Sequence, residues 1–210
     1  MGLQGIDQLN ANLATVEVII EEDRHRAQLY LLLSRLLGAP MDNDLLQLIK
    51  GLESDDTPIG VAVGELKDLL KNSSLENAID EYEELFIGVT QGELIPFKSY
   101  YLTGFLHEKP LAELREHMNE LGIAKSNDVG EPEDHIAFIL EMMQGLIVGL
   151  FGKPSTIPEQ NRFFENHIAC WAPKFFEDLE AAEAAHIFVP IGRIGKLFVE
   201  VEGEAFLIAA

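Results

Sequence analysis

The sequence has very little cysteine and few basic residues. One cysteine, Cys170, occurs among its 210 residues, so neither an intramolecular disulfide nor a zinc site built on several cysteines can form. Fifteen Lys and Arg residues stand against 36 Asp and Glu residues, which gives a formal net charge of −21. Because nucleic acids and anionic membranes are bound through clustered Lys and Arg, both are disfavoured as partners. A cationic partner would be attracted by the field of the whole molecule.

A secretory leader and a membrane-spanning run are also missing from the sequence. Residues 1–10 contain no basic residue and no continuous apolar stretch. The apolar run from Gly145 to Phe151, with Met142 and Met143 before it, is about half the length of a membrane span, so we expect no stable membrane insertion. Hydrophobic residues make up 47% of the chain, which is enough for one substantial core. We therefore expect a globular protein. With one cysteine and no secretory leader, we expect it to be cytoplasmic, and we expect Cys170 to be a buried, structural thiol.

Helical periodicity dominates the sequence and predicts an all-α fold of about eight to ten helices. A polar stretch at 124–131, closed by a glycine, is predicted to be a hinge between an N-terminal helical part (1–123) and a C-terminal part (132–210) of one domain. Gly145 and Gly149 are expected to allow a close contact between helices. The individual helices are predicted from apolar spacing, caps, prolines and glycines: Val16 to Leu37, one capped by Asp42 and ending at Gly51, one from Thr57-Pro58 to Lys71, one with a capping box of Ser73 and Glu76, a short segment from Pro96 to Tyr101, Leu111 to Leu121, one headed by Glu131-Pro132 and reaching Leu150, one from Pro158 to about Ala185 with a kink at Pro173, and a last one in the tail from His186 to Leu207.

Recognisable catalytic motifs are absent from the sequence. It contains no GxSxG, HExxH or GxGxxG, and the glycine-lysine segments at 152–155 and 192–196 lack the spacing of a phosphate loop. No two of the six histidines are three or four residues apart, so a metal site would need ligands from distant segments. We therefore predict that the protein is not an enzyme and holds no metal or cofactor.

An acidic helical segment runs from Ser73 to Phe86. Glu76, Asp80 and Glu84 recur every four residues, opposite an apolar stripe that includes Tyr82 and Leu85. Spacing alone favours a solvated helix face, and a docking face for a cationic partner is the alternative.

Two further groups of residues combine aromatic, acidic and imidazole side chains. The segment from Pro96 to Tyr101 holds three aromatic residues, which suit packing in the hydrophobic core or contact with a peptide equally well.

The run from Glu131 to His135 is followed by Glu141, which is expected to share a helix face with Asp134. Pro132 and the acidic residues around it suit the start of a helix, and spacing alone favours that structural role. The alternative is a set of carboxylate acceptors for an arginine.

Taken together and in order, four segments resemble the TorD/DmsD family of redox-enzyme maturation chaperones. The resemblance covers about residues 20 to 205. It implies an all-helical cytoplasmic chaperone that binds the twin-arginine signal peptide, and often the body, of a molybdenum- or tungsten-cofactor oxidoreductase, and that delays export until the cofactor is inserted. The four segments are Glu81-Tyr82-Glu83-Glu84-Leu85-Phe86, Pro96-x-x-Ser99-x-Tyr101, Glu131-Pro132-x-Asp134-His135 with Glu141, and Phe163-Phe164-x-x-His167-x-x-x-Trp171.

The resemblance also implies a binding surface. Phe163, His167 and Trp171 are expected to be packing residues. Weak GTP binding, and a monomer or a dimer that swaps domains at the hinge, are further implications of the resemblance. An acidic helical adaptor for another basic protein and a slow GTP hydrolase remain the alternative functions. The signal-peptide-binding residues implied are Tyr82, Leu85, Phe86, Pro96, Ser99, Tyr101, Glu131, Pro132, Asp134, His135 and Glu141.

Overall fold

The computed structural model describes residues 20–125 and 130–209, and within these ranges the fold is all-α, as predicted. Segments of π-helix at Glu83–Ile87 and Glu165–Ala169 continue α4 and α8, and an antiparallel bridge joins Phe97 to His135. None of the described helices is long and apolar enough to cross a membrane. The helices are α1 (Glu21–Gly38), α2 (Asn43–Gly51), α3 (Pro58–Asn72), α4 (Leu75–Tyr82), α5 (Lys98–Thr103), α6 (Lys109–Glu120), α7 (Ile136–Val148), α8 (Ile157–Phe164), α9 (Ala172–Ala181) and α10 (Phe188–Ala209).

One hydrophobic core draws on helices from both sides of the predicted hinge. The main packing pairs are α1 with α7, α9 with α10, and α10 with α3. Helix α7 is buried almost all round, and only Phe138 and Glu141 along it are not fully buried. Residues 126–129 of the hinge lie outside the described residues, so the boundaries of the two parts stay predictions.

Several helix ends follow the sequence signals. The Asp42 side chain accepts the N–H of Leu45 at 2.7 Å and starts α2, and Thr57 accepts the N–H of Gly60 at 3.0 Å and starts α3. The tail is helical, as predicted, and forms α10. Residues 16–19 of the predicted first helix lie outside the described residues, and the described helix begins at Glu21.

The capping box predicted at Ser73 and Glu76 is wrong by one residue. Ser73 ends α3 in an extended conformation, so it cannot also start the next helix. Ser74 and Asn77 form the box instead, with N–H to side-chain distances of 2.9 and 3.1 Å.

The helix predicted to start at Glu131-Pro132 starts four residues later than Pro132. His135 is the N-cap of α7, and Pro132 lies in the preceding turn, where its carbonyl accepts the N–H of His135. The backbone of residues 134 and 136 pairs with residues 96 and 98, and this extended pairing is incompatible with a helix at those positions.

The predicted single helix from Pro158 to Ala185 is also wrong. The chain leaves the helical conformation at Trp171 (φ −152°), whose indole N–H donates to the carbonyl of His167 at 2.8 Å. Pro173 does not kink a continuous helix but lies in the first turn of α9, where its missing N–H costs nothing.

Two expectations about small residues are wrong as well. Cys170 is exposed rather than buried. Gly145 faces the ring of Phe151 rather than another helix, and Gly149 (φ 80°) ends α7 in the left-handed conformation. The close helix contact is made elsewhere, where Gly192 and Gly195 of α10 lie against Phe176 of α9.

Candidate functional site

The structure brings together the aromatic segment at 96–101 and the acidic segment at 131–135. The two segments run antiparallel: Lys98 donates its N–H to the carbonyl of Asp134, and Ile136 donates to that of Pro96, both at 2.9 Å. The Asp134 side chain is fully buried, and its Oδ2 accepts the N–H of Ser99 at 2.8 Å. Asp134 thereby satisfies a backbone donor in the first turn of α5 and fixes this helix to the segment before α7.

Two polar atoms at this junction are buried without a partner among the described residues. They are Asp134 Oδ1 and Ser99 Oγ. An unpaired buried oxygen is costly, so the junction is sensitive to any change of side chain at either position.

His135 is neutral at physiological pH. Its ring is buried between Phe97 and Phe138, with centroids 5.0 and 5.4 Å away, and burial lowers the pKa of His135 to about 4. Nδ1 accepts the N–H of Ala137 at 3.2 Å, so the ring proton is on Nε2. Nε2 faces a Glu131 carboxylate oxygen 3.9 Å away.

A buried chain of polar side chains lies behind the junction. Lys98 is 2% exposed, and its Nζ lies 3.0 Å from Nδ1 of His167, whose Nε2 lies 2.8 Å from Nδ1 of His117. Burial lowers the pKa of Lys98, and burial together with the charge of Lys98 lowers the pKa of His167 to about 3. Because an ammonium can only donate, Nδ1 of His167 accepts from Lys98 and its Nε2–H donates to His117. This chain ties α5 and α6 to the π-helical segment after α8.

A shallow groove opens beside residues 124–125 and has a volume of about 260 Å³. We call it the hinge groove. Most of its lining is apolar, and two carboxylates lie in it. Glu133 is paired with Arg115, at 2.7 Å from Nη2, whereas Glu141 is exposed and forms no salt bridge within the described ranges. The lining residues are Met118, Ile123, Ala124, Lys125, Glu133, Phe138, Glu141, Met142, Leu150 and Phe151.

Tyr82, Leu85 and Phe86 lie mainly in the core. Tyr82 donates its hydroxyl to the carbonyl of Leu37 at 3.3 Å and packs against Phe86 and Phe188. Burial, and to a lesser degree the charge of Glu131, raise the pKa of Tyr82 to about 12. Leu85 is fully buried and Phe86 is half-buried.

The acidic helical segment is used partly inside the protein. Both oxygens of Glu81 accept backbone N–H groups of His186, Ile187 and Phe188, at 2.7 to 3.0 Å, and so cap the start of α10. Glu76, Asp80 and Glu84 are exposed. Their solvated position agrees with the interpretation that spacing favours. A docking role is left to these three carboxylates and to Glu83, which is exposed as well.

The predicted binding residues differ in accessibility. Tyr101 is half-buried against Trp171 and Phe175, with centroids 5.4 and 5.9 Å away, and burial raises its pKa. Phe163, His167 and Trp171 are buried packing residues. Among the predicted signal-peptide-binding residues, a partner can reach Phe86, Tyr101, Glu131, Pro132 and Glu141. The remaining ones are buried, namely Tyr82, Leu85, Pro96, Ser99, Asp134 and His135.

Sequence reasoning missed several residues of this region. Lys98 and His167 are 69 positions apart, and no local pattern predicts that they meet. Arg115 and Glu133, which form a salt bridge, are 18 positions apart, and no local pattern predicts their contact either. Met118 and Met142, which line the hinge groove, are typical of adaptable binding surfaces, but two methionines in separate helices give no signal in the sequence.

The glycine-lysine segments do not form a phosphate loop. Residues 192–196 lie inside α10, so their backbone N–H groups belong to the helix, and residues 152–155 lie in an exposed connection between α7 and α8. GTP binding therefore stays an expectation from the resemblance. In the described part of the chain, no group of three or more His, Cys, Asp or Glu side chains could hold a metal ion.

Comparison with known proteins places the chain in a family. The profile of the family described as "Nitrate reductase delta subunit" matches residues 52–177. Chaperone protein TorD of Vibrio parahaemolyticus is 23% identical over 205 residues, which cover 87% of this chain and 94% of that protein. Chaperone protein TorD of Aliivibrio fischeri is 27% identical over 177 residues, which cover 74% and 82%.

A solved structure has the same fold. It is described as a "putative redox enzyme maturation protein" from Archaeoglobus fulgidus, and it aligns with a TM-score of 0.57 and 24% identity over 83% of this chain and 93% of its own. Because the family profile covers more than half of the sequence, this protein belongs to the nitrate reductase delta subunit family, the family of the TorD chaperones.

Proposed function

We propose that this protein is a cytoplasmic maturation chaperone that binds the twin-arginine signal peptide of a molybdenum- or tungsten-cofactor oxidoreductase. It holds the unfinished enzyme back from export until the cofactor is inserted. Membership of the TorD family supports the chaperone role. The single structural observation that supports the peptide-binding role is the hinge groove, an apolar groove in a strongly acidic protein with an exposed carboxylate that forms no salt bridge to any described residue.

The chemistry of the hinge groove suits such a peptide. Phe138, Leu150 and Phe151 are at least partly exposed and offer apolar contacts to hydrophobic side chains. The buried Met118 and Met142 line the groove with adaptable side chains. Glu141 offers a carboxylate that an arginine can bind with two parallel hydrogen bonds. Glu133 is less available because Arg115 already occupies it. Glu131 is exposed and lies beside the groove, since its backbone carbonyl accepts from the lining residue Lys125 at 2.6 Å, so its side chain adds a second carboxylate there.

Binding of a fluorescent twin-arginine peptide tests the proposal. In the full-length protein, Glu141→Gln should weaken binding about fivefold, since an exposed ion pair contributes about 1 kcal/mol. Replacing both arginines of the peptide by lysine should weaken binding to the wild type more than to E141Q, because the two-pronged contact is lost. Glu204→Gln, which removes an exposed carboxylate from α10 outside the groove, is the matched control and should bind like the wild type.

Two results would contradict peptide binding at this groove. One is equal affinity of the wild type and E141Q, and the other is equal loss in E141Q and E204Q, which would indicate a general charge effect. The client is tested separately, by affinity capture from the native host. Recovery of an oxidoreductase lacking its cofactor supports the chaperone proposal, whereas consistent recovery of an unrelated basic protein supports an acidic adaptor.

A further inference from the structure

The ion pair between Arg115 and Glu133 lies at the edge of the hinge groove. Glu133 lines the groove from the segment before α7, and Arg115 reaches it from α6. Two donors of the guanidinium, Nε at 3.1 Å and Nη2 at 2.7 Å, meet the same carboxylate oxygen, Oε2. The Glu133 side chain is only 11% exposed, whereas that of Arg115 is 52% exposed. The arginine can therefore leave the pair for solvent, and the carboxylate cannot.

Glu133 depends on a cation to stay ionised at this position. Burial raises the pKa of its carboxyl group, but the hydrogen bonds from Arg115 outweigh burial and hold the pKa of Glu133 below its ordinary value. A buried carboxylate without a partner is costly, so Glu133 requires a cation in every state of the protein. Lys125, a basic residue that lines the groove itself, donates instead to the backbone carbonyl of Glu131. In the described structure, Arg115 is the cation that pairs with Glu133.

A guanidinium that enters the groove competes with Arg115 for this carboxylate. Two guanidinium groups beside one buried carboxylate repel each other, because charges interact strongly where water is excluded. Arg115 is half-exposed and loses little by turning into solvent. An arginine that is also held by apolar contacts in the groove has more to lose by leaving. The exchange of one guanidinium for another keeps Glu133 paired throughout.

We propose that Arg115 is an internal competitor for the arginines of the client peptide. It occupies Glu133 in the free protein and releases this carboxylate to a peptide arginine on binding. The inference rests on the proposed function, since the competing arginine belongs to a peptide in the hinge groove. The exchange protects the buried carboxylate in the free protein and lowers the affinity for the peptide, which favours release of the client.

Binding of the fluorescent twin-arginine peptide to full-length Arg115→Gln tests the exchange. Removal of the competitor should tighten binding about fivefold, which corresponds to an ion pair of about 1 kcal/mol. Arg193→Gln is the matched control, because Arg193 is also partly exposed and paired with carboxylates, Glu65 and Glu180, on helices outside the groove. R193Q removes the same charge and should bind nearly like the wild type, because distant exposed charges are screened.

A Glu133→Gln background separates exchange from simple repulsion of the peptide. If Arg115 only repelled the peptide, R115Q would tighten binding whether or not residue 133 is charged. Under exchange, R115Q/E133Q should bind like E133Q, because the carboxylate for which the arginines compete is gone. A peptide with both arginines replaced by glutamine should gain nothing from R115Q. Tightening of equal size in both backgrounds would overturn the proposal.

NMR spectra of the arginine Nε–H groups follow the exchange in the wild type, without any substitution at the groove. The Arg115 signal, identified by its loss in R115Q, should be protected from solvent exchange in the free protein and lose that protection when the peptide is saturating. Unchanged protection would overturn the proposal. Equal affinity of the wild type and E141Q would show that the peptide does not bind at this groove, and the exchange would then be wrong with it. Weaker binding of E141Q with unchanged affinity of R115Q would show that the exchange alone is wrong.

Discussion

Asp134 illustrates how a residue in a recognisable motif can act through the structure rather than by touching a partner. Its buried Oδ2 accepts the N–H of Ser99 and holds the start of α5. Asp134→Ala should lower the free energy of unfolding by about 1–3 kcal/mol, because the buried N–H loses its acceptor. Asp134→Asn keeps a carbonyl oxygen and should cost less. Urea denaturation measures both changes, and equal stability of D134A and the wild type would contradict the capping role.

His135 gives the protein a defined sensitivity to acid. Its pKa is about 4 in the folded protein, because burial disfavours the charged form, against an ordinary value of about 6.5. Between these values the unfolded chain binds more protons than the folded one, so stability falls as pH is lowered from about 6.5 to 4. At about 1.4 kcal/mol per pH unit, His135 accounts for a loss of about 3 kcal/mol. Burial of His117 and His167 lowers their pKa values too and adds to the loss.

The His135→Asn variant isolates this effect. Asparagine is a good N-cap and does not titrate, so H135N should keep α7 capped while losing part of the pH dependence above pH 4.5, where most carboxylates remain ionised. Urea denaturation at a series of pH values measures the slope. His25→Asn, at an exposed position of α1, is the control and should keep the slope of the wild type. Identical slopes for H135N and the wild type would show that the buried imidazole does not cause the acid sensitivity.

At the scale of elements, the packing of α10 on α9 depends on one glycine and tolerates change at another. A Cβ at Gly195 would overlap the ring of the fully buried Phe176. Gly195→Ala should therefore destabilise the protein by about 1–2 kcal/mol, although alanine favours the helix by about 1 kcal/mol. A Cβ at Gly203 would meet only Phe164, at 3.7 Å, so Gly203→Ala should stabilise by up to about 1 kcal/mol. Thermal unfolding measures both, and equal shifts in Tm would contradict this packing.

The elements that the sequence predicts well are those whose ends depend on local chemistry. Asp42 and Thr57 start their helices as expected, because a cap needs only an acceptor and a nearby backbone N–H. The segment before Ile136 pairs with residues 96 and 98, and the ring of Trp171, where the later helix breaks, packs on Tyr101. Both contacts are distant in sequence, so proline position alone misplaced these helix ends. Likewise, the motif segments at 96–101 and 131–135 are visible in the sequence, but their backbone pairing and the buried chain from Lys98 to His117 are not.

For the whole molecule, the structure divides the acidic residues into two groups. Glu81 caps α10, Asp134 caps α5 and Glu133 is paired with Arg115, so these carboxylates are used inside the protein. Glu131 and Glu141 are exposed near the hinge groove, where a basic partner can meet them. The net charge of −21 then acts mainly at long range, by attracting such a partner before contact is made.

This division predicts how salt affects binding of the twin-arginine peptide. Raising the ionic strength from about 0.1 M to about 1 M shortens the Debye length from about 10 Å to about 3 Å, which screens the long-range field. The association rate constant should therefore fall strongly, while the dissociation rate constant should rise at most about fivefold, since the ion pair with Glu141 contributes only about 1 kcal/mol and the remaining contacts are apolar. Stopped-flow fluorescence measures both. A peptide with both arginines replaced by glutamine should associate slowly at every salt concentration. If salt instead accelerated dissociation of the arginine peptide and left association unchanged, the charge would act through close contacts at the groove rather than by steering.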